Sequence, residues 1–323
     1  MSKNCSNFAA QSFWKDMKKL IIVWMALCGA MALQAEPVLI GDLYYELANG
    51  QATVTYAHKL SADNYAGLTR VDVPLQVEYD NKSYGVTAIG DHAFAGNTTI
   101  RLIALTQNII SVGQYAFYNC KALEEIYLTA AKITSIGEYT FGNCEVMTYC
   151  ELPKSVTAIG DYAFYGCKAL VNVTIPEGVA SLGERAFRFC TGLENVSLPA
   201  SLVTIGELAF YGCTSLKSIT NHRTTPQNIS TGNVFDGCND DLKNILLYVP
   251  QGSRNAYEVA NEWKKFTIAE MEEGLEKGER REAKGESGKM IRDGRLVIEK
   301  NGEKYDVQGR RMENGKLKME NGK

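Results

Sequence analysis

The most regular feature of the chain is a short phrase of apolar and small residues that returns at a nearly fixed interval. "IGDHAFAGN" begins at Ile89, "VGQYAFYNC" at Val112, "IGEYTFGNC" at Ile136, "IGDYAFYGC" at Ile159, "LGERAFRFC" at Leu182 and "IGELAFYGC" at Ile205. Successive starts are separated by 23, 24, 23, 23 and 23 residues. A degenerate copy, "GNVFDGC", ends at Cys238, and its Phe235 follows Phe210 by 25 residues, so the last unit carries a small insertion. A second pattern, L-x-x-I-x-L, lies between the phrases. It reads "LEEIYL" from Leu123, "LVNVTI" from Leu170, "LENVSL" from Leu193 and "LKNILL" from Leu242, with looser copies at Ile100 and Met147. A turn follows, often opened by proline at Pro153, Pro176 or Pro199.

Alternation within I-x-L predicts a strand, and the leading Leu enters the core from the preceding turn. A 23-residue unit cannot close a core alone, but stacked copies bury a continuous one. The pattern therefore predicts a solenoid of parallel strands about 4.8 Å apart. No helical period runs through the region, so short turns are expected between strands. "DYAF" is expected to form one, with Gly160 ahead of it permitting the sharp backbone change.

In phase, the repeats resemble the BspA-like class of bacterial leucine-rich repeats, from Ile89 to about Val249. The resemblance implies a β-rich leucine-rich-repeat solenoid of parallel stacked strands with short helical turns. It also implies exported or surface proteins that act in adhesion or binding and carry no chemistry.

The inward columns are uniform. One is Phe94, Phe117, Phe141, Phe164, Phe187, Phe210 and Phe235, preceded by mostly small residues. Each buried ring contributes roughly 1.5–3 kcal/mol, so the column is a stability device. The other is Asn97 followed by Cys120, Cys144, Cys167, Cys190, Cys213 and Cys238, at the position that bonds the backbone of the neighbouring turn in leucine-rich repeats. Cys150 takes an inward strand position and is also expected to be buried. Zinc would need short ligand pairs, and a nucleophile would need one distinctive cysteine beside a histidine. Six equivalent cysteines are a scaffold pattern. Disulfides between neighbours stay open as an alternative to free thiols, because export permits them, although parallel Cβ vectors oppose them.

The outward columns vary, which places function there. One reads Leu102, Glu125, Tyr149, Asn172, Asn195, Ser218 and Asn244; the other Ala104, Tyr127, Glu151, Thr174, Ser197, Thr220 and Leu246. Tyr127, Tyr149, Glu125 and Glu151 gather on the early coils, and Asn172 and Asn195 lead a polar strip beyond. Tyrosines on a rigid sheet are effective binding anchors. A plain solvated sheet face is the alternative.

The ends are expected to be capped. Residues 36–88 predict β-hairpins, one turning at Asn49-Gly50 and another within Val71–Val86 turning at Asp80–Ser83. Residues 250–268 predict a helix with Ser253 as N-cap and Ala256, Tyr257, Ala260 and Trp263 on its apolar face. Residues 269–290 have linker composition. Residues 291–323 resemble the C-terminal sorting or anchoring segments of some Gram-negative surface proteins, through Tyr305-Asp306 and Gly309-Arg310-Arg311. They lack the final apolar strand of such segments.

Residues 1–35 read as an export signal: Lys18 and Lys19, an apolar run from Leu20 to Leu33, and a small residue at Ala35. Met17 is the expected start. The rival is lipoprotein processing at Cys28, which Leu27 opposes by standing where a small residue is expected. The expected location is extracellular or on the outer cell surface.

Over 323 residues the net charge is −3, which gives no support for a nucleic-acid partner. The three histidines are far apart, and no protease, hydrolase or phosphate-loop motif is present. Glu124 and Glu125 face opposite ways on a strand and make no carboxylate pair. The chain is expected to need no cofactor or metal, to be a monomer and not an enzyme, and to bind proteins of host or neighbouring cells. A glycan-binding accessory role using Tyr127 and Tyr149 is the alternative.

Overall fold

A computed structural model describes residues 36–56, 65–229 and 233–271, together with strands between 288 and 317. The export segment, most of the linker, and Asp306, Gly309 and Arg310 of the tail phrase lie outside the described residues.

The repeats form a β-solenoid. Each coil contributes one three- or four-residue strand to a broad face, and the central coils add a two-residue strand to a second, narrower one. On the broad face, Arg70–Asp72, Leu102–Ala104, Glu125–Tyr127 and Tyr149–Glu151 pair in parallel. A second parallel ladder follows, through Asn172–Thr174, Asn195–Leu198, Ser218–Asn221, Leu246–Val249 and Thr267–Glu270. The narrow face runs Ser135–Ile136, Ala158–Ile159, Ser181–Leu182 and Thr204–Ile205. The prolines open tight turns, in which Val156, Val179 and Leu202 donate back to the carbonyls of Pro153, Pro176 and Pro199.

The core is a ladder of rings. Phe94, Phe117, Phe141, Phe164, Phe187, Phe210 and Phe235 are all at most 1% exposed. Successive centroids lie 5.0–5.5 Å apart and successive planes within 22° of parallel. A ladder of this kind leaves one open ring face at each end. Tyr65 covers the first, 5.0 Å from Phe94. Trp263 and Phe266 cover the last, 5.5 and 5.1 Å from Phe235.

Beside the rings stands a ladder of thiols. Cys120, Cys144, Cys167, Cys190, Cys213 and Cys238 are buried and free. Each donates its S–H to the carbonyl of the phenylalanine one coil earlier, at 3.0–3.2 Å. Asn97 differs: its Oδ1 accepts from Thr99 and Ile100 of its own coil, at 2.9 and 2.7 Å. Cys150 corrects the expectation of full burial, because it is half-buried in its strand.

The glycines act differently from the expectation. Gly160 does not have a left-handed backbone; the residue two places on does. His92, Tyr115, Tyr139, Tyr162, Arg185 and Leu208 have φ of 48–57°. The glycines serve instead where coils approach most closely: a Cβ on Gly206 would lie 2.5 Å from the backbone nitrogen of Glu184. Left-handed backbone is costly for bulky side chains. Here the side chains recover part of that cost by stacking, with centroids 5.0 Å apart for Tyr115–Tyr139 and 4.4 Å for Tyr139–Tyr162.

At the N-terminal end, Leu43–Ala48 and Gln51–Thr55 form the hairpin at Asn49-Gly50. A second hairpin joins Gln76–Tyr79 to Lys82–Ile89 and turns on Asp80 and Asn81 alone, with φ of 51° and 56°. Val71 is not part of that hairpin. It sits in Arg70–Asp72, so the broad face reaches back into the segment expected only to cap it.

At the other end, the helix covers only Arg254–Val259, and Ser253 makes no side-chain cap bond. A 3-10 turn at Trp263–Lys265 and the strand Thr267–Glu270 follow. Tyr257 and Trp263 are fully buried, their polar tips donating to the carbonyls of Arg223 and Gln227 at 2.8 and 3.1 Å. Beyond the linker, five short strands from Gly288 to Leu317 pair antiparallel. No helix among the described residues is long and apolar enough to cross a membrane.

Candidate functional site

Strand register brings the four early residues together. Tyr149 lies directly beside Glu125, and Glu151 directly beside Tyr127. Tyrosine and glutamate therefore alternate along both columns of the broad face. The Tyr127 and Tyr149 rings are 6.1 Å apart and tilted by 47°. Tyr127 donates its hydroxyl to Glu125, and Tyr149 donates to Glu151 at 2.6 Å. Burial, reinforced by those carboxylates, raises both phenol pKa values well above the ordinary range. The phenols remain protonated donors, and the glutamates hold the rings at fixed angles. This tetrad offers contact area and fixed hydrogen-bonding groups.

Asn172 and Asn195 stand apart from the tetrad. Among the described residues, no ladder bond joins Tyr149–Glu151 to Asn172–Thr174, so the broad face divides into two sheets there. Cys150, smaller than the Ile126 and Ile103 beside it in register, stands at this seam. Beyond it, Asn195 donates to Asn172 and Ser218 donates to Asn195, each at 2.8 Å, forming a polar relay along the outer column. Ser197 contacts His222 at 3.1 Å.

The pattern of the sequence misses two parts of this face. Arg70 and Asp72 occupy its first strand, paired at 2.7 Å. Val71 precedes its partner Ile103 by 32 residues instead of 23, because the hairpin Gln76–Ile89 is inserted between them. Alternation of outward, inward and outward residues in Arg70–Asp72 is the only signal of this strand. The second part is a shift of register. Leu246 lies beside Ser218 and Tyr248 beside Thr220, while Leu247 takes the inward place assigned to Ile245. Asn244 consequently leaves the outward column and sits in a 3-10 turn. "LKNILL" is apolar at both Ile245 and Leu247, and both are buried, so hydrophobicity alone cannot choose between the two registers.

Among the described residues, no three of His, Cys, Asp or Glu converge to hold a metal ion. Four of the column thiols are unsuited to attack, since burial pushes Cys190 up to about 12 and also raises Cys120, Cys167 and Cys213.

Comparison with curated proteins finds no match. Among solved structures, the chain is similar to a leucine-rich repeat protein from Bacteroides ovatus, at 22% identity and a TM-score of 0.44, covering 66% of this chain and 70% of that one. It is also similar to a leucine rich cell surface protein from Faecalibacterium prausnitzii, at 22% identity and a TM-score of 0.48, covering 69% and 71%. A leucine-rich repeat protein from T. pallidum is similar at 22% identity and a TM-score of 0.42, covering 66% and 80%. The family model for the BspA type leucine rich repeat region matches residues 76–170 and 134–255, with 6 copies. Those spans overlap, together cover more than half of the chain, and include the phenylalanine and thiol ladders. The chain belongs to the BspA-type leucine-rich repeat family.

Proposed function

We propose that this protein is a non-catalytic, exported binding scaffold at the cell surface that engages a protein on host or neighbouring cells through its broad strand face. The observation that carries the reading is the tetrad of Tyr127, Tyr149, Glu125 and Glu151, in which strand register and side-chain bonds fix two aromatic anchors beforehand. Pre-ordered aromatics lose little freedom on binding and are frequent interface hot spots. The family and the apolar leader support export.

The test is capture of host-surface proteins by the purified chain, in parallel with a glycan array. Tyr127→Ala with Tyr149→Ala is expected to weaken capture by at least about tenfold, as the loss of two anchors implies. Undiminished capture removes this face from the reading. Binding confined to the array identifies the ligand as glycan, to which the polar relay from Asn172 to Ser218 is suited.

A further inference from the structure

A second surface runs along the coils just past the narrow strands. It is built from the left-handed residues and the acidic residues immediately before them, which the repeat pattern treats as scaffold. Tyr115, Tyr139 and Tyr162 stack along it and are half-buried. Tyr118 and Tyr165 pack beside them, with centroids 5.6 and 5.9 Å from Tyr139 and Tyr162.

Most of its carboxylates differ from those on the turns that lead into the broad face. On the turns leading into the broad face, acids are neutralised by the chain itself. Glu124 pairs with Arg101 at 2.8 Å, Glu194 with Lys217 at 2.7 Å, and Glu145 with both Lys121 and Lys168. On the aromatic ridge, Glu184 pairs with Arg185 at 3.0 Å, whereas Asp91, Glu138, Asp161 and Glu207 make no ion pair among the described residues. Neutral donors hold them instead. The backbone N–H groups of Gln114 and Glu184 bond Asp91 and Asp161 at 2.8 and 2.7 Å. Tyr115 bonds Glu138 at 3.2 Å and Asn233 bonds Glu207 at 3.0 Å. These bonds fix the position of each charge and leave it uncompensated.

At its far end the ridge already holds guanidinium groups. Arg185 lies over the Tyr162 ring at 5.5 Å. Arg188 lies over both Phe189 and Tyr211, at 4.6 and 4.9 Å. Arginine is suited to such a surface, because its planar cation can contact a ring and bond a carboxylate together.

From this charge complementarity we propose that the ridge is a second docking surface, which takes an arginine-bearing segment of a partner protein along the coils from Asp91 to Asp161. Carboxylates arrive once per coil on most coils, so the partner is read as an extended segment with several arginines. The ridge follows the narrow strands, whereas the Tyr127–Tyr149 tetrad stands in the strands of the broad face.

The test uses the full chain and fluorescently labelled octa-arginine, octa-lysine and octa-glutamate peptides, followed by anisotropy at physiological salt. Octa-arginine is expected to bind several-fold more tightly than octa-lysine, and octa-glutamate not at all. Glu138→Gln with Asp161→Asn keeps the hydrogen-bond acceptors and removes the charges; it is expected to weaken octa-arginine at least fivefold. Tyr139→Gly removes a ring at a left-handed position that glycine accepts, and is expected to reduce the preference for arginine over lysine. Thiol protection from alkylation verifies that each variant is folded. Equal affinity for the two cationic peptides, or unchanged octa-arginine binding in the double variant, overturns the proposal. So does an equal loss on Tyr127→Ala with Tyr149→Ala, which would place the cation on the other face.

Discussion

Cys167 donates its S–H to the carbonyl of Phe141, one coil earlier, at 3.1 Å. The phenylalanine ladder and the thiol ladder are therefore one device. Each ring fills its coil, and the next coil's thiol bonds the carbonyl of the residue carrying that ring. Cysteine suits the place because it is small and apolar yet still supplies a weak donor.

Cys167→Ala removes the donor and leaves a small void. It is expected to destabilise the protein by about 1 kcal/mol, the usual net worth of one buried hydrogen bond, because the Phe141 carbonyl keeps its second bond, from the Cys144 N–H at 3.2 Å. Urea unfolding measures this. A change smaller than roughly 0.5 kcal/mol would mean that the bond adds nothing beyond packing.

The thiols also differ in access. Cys150 stands half-buried at the seam, whereas the six column thiols are enclosed; burial raises the Cys150 thiol pKa as well, so exposure alone sets it apart. Alkylation of the folded protein, followed by peptide mapping, is expected to modify Cys150 first and the six only after denaturation. Labelling of any column cysteine as fast as Cys150 contradicts the enclosed ladder.

Alkaline pH should weaken the solenoid. Burial raises Cys190 from 9.0 to about 12 and Tyr139 from 10.0 to about 12. The unfolded chain then releases these protons at lower pH than the folded one, so stability falls as pH rises between the two values. The thiol contribution is intact below about pH 9 and is lost progressively up to about pH 12. Urea midpoints measured under reducing conditions should fall from about pH 9 upward. A midpoint that stays level to about pH 11 argues against the shift.

Glycine and tyrosine in the recurring phrase should respond in opposite ways to substitution. Gly206→Ala forces a Cβ to within 2.5 Å of Glu184 backbone and is expected to destabilise by more than about 1 kcal/mol. Tyr162 is left-handed at φ 55°, a conformation that costs a non-glycine residue about 1–2 kcal/mol. Tyr162→Gly loses the stack but also that cost, whereas Tyr162→Ala loses only the stack. Thermal unfolding should rank the glycine variant above the alanine variant; the reverse order would place the strain elsewhere.

The period makes much of this legible. Residues one repeat apart fall in one column, so spacing alone places Phe164 and Cys167 inside and Tyr127 beside Glu151. Columns in phase show which residues are neighbours. They do not show how neighbours meet, because that depends on contacts between coils. Gly160 and Tyr162 illustrate the limit: both are compatible with a turn, and only the close approach of adjacent coils decides which one must lack a Cβ.

Where the period breaks, legibility ends. Arg70–Asp72 is hidden by the inserted hairpin, and Leu247 by an apolar neighbour that satisfies the same pattern. The sequence by itself determined a solenoid with a ring column, a thiol column and a variable strand face. Only the tertiary structure decided the seam at Cys150, the cover at Tyr65 and the ridge of stacked tyrosines. Those features arise from ring tilt, strand pairing and the spacing of coils. A one-dimensional repeat does not encode these quantities separately; they emerge when all the coils pack at once.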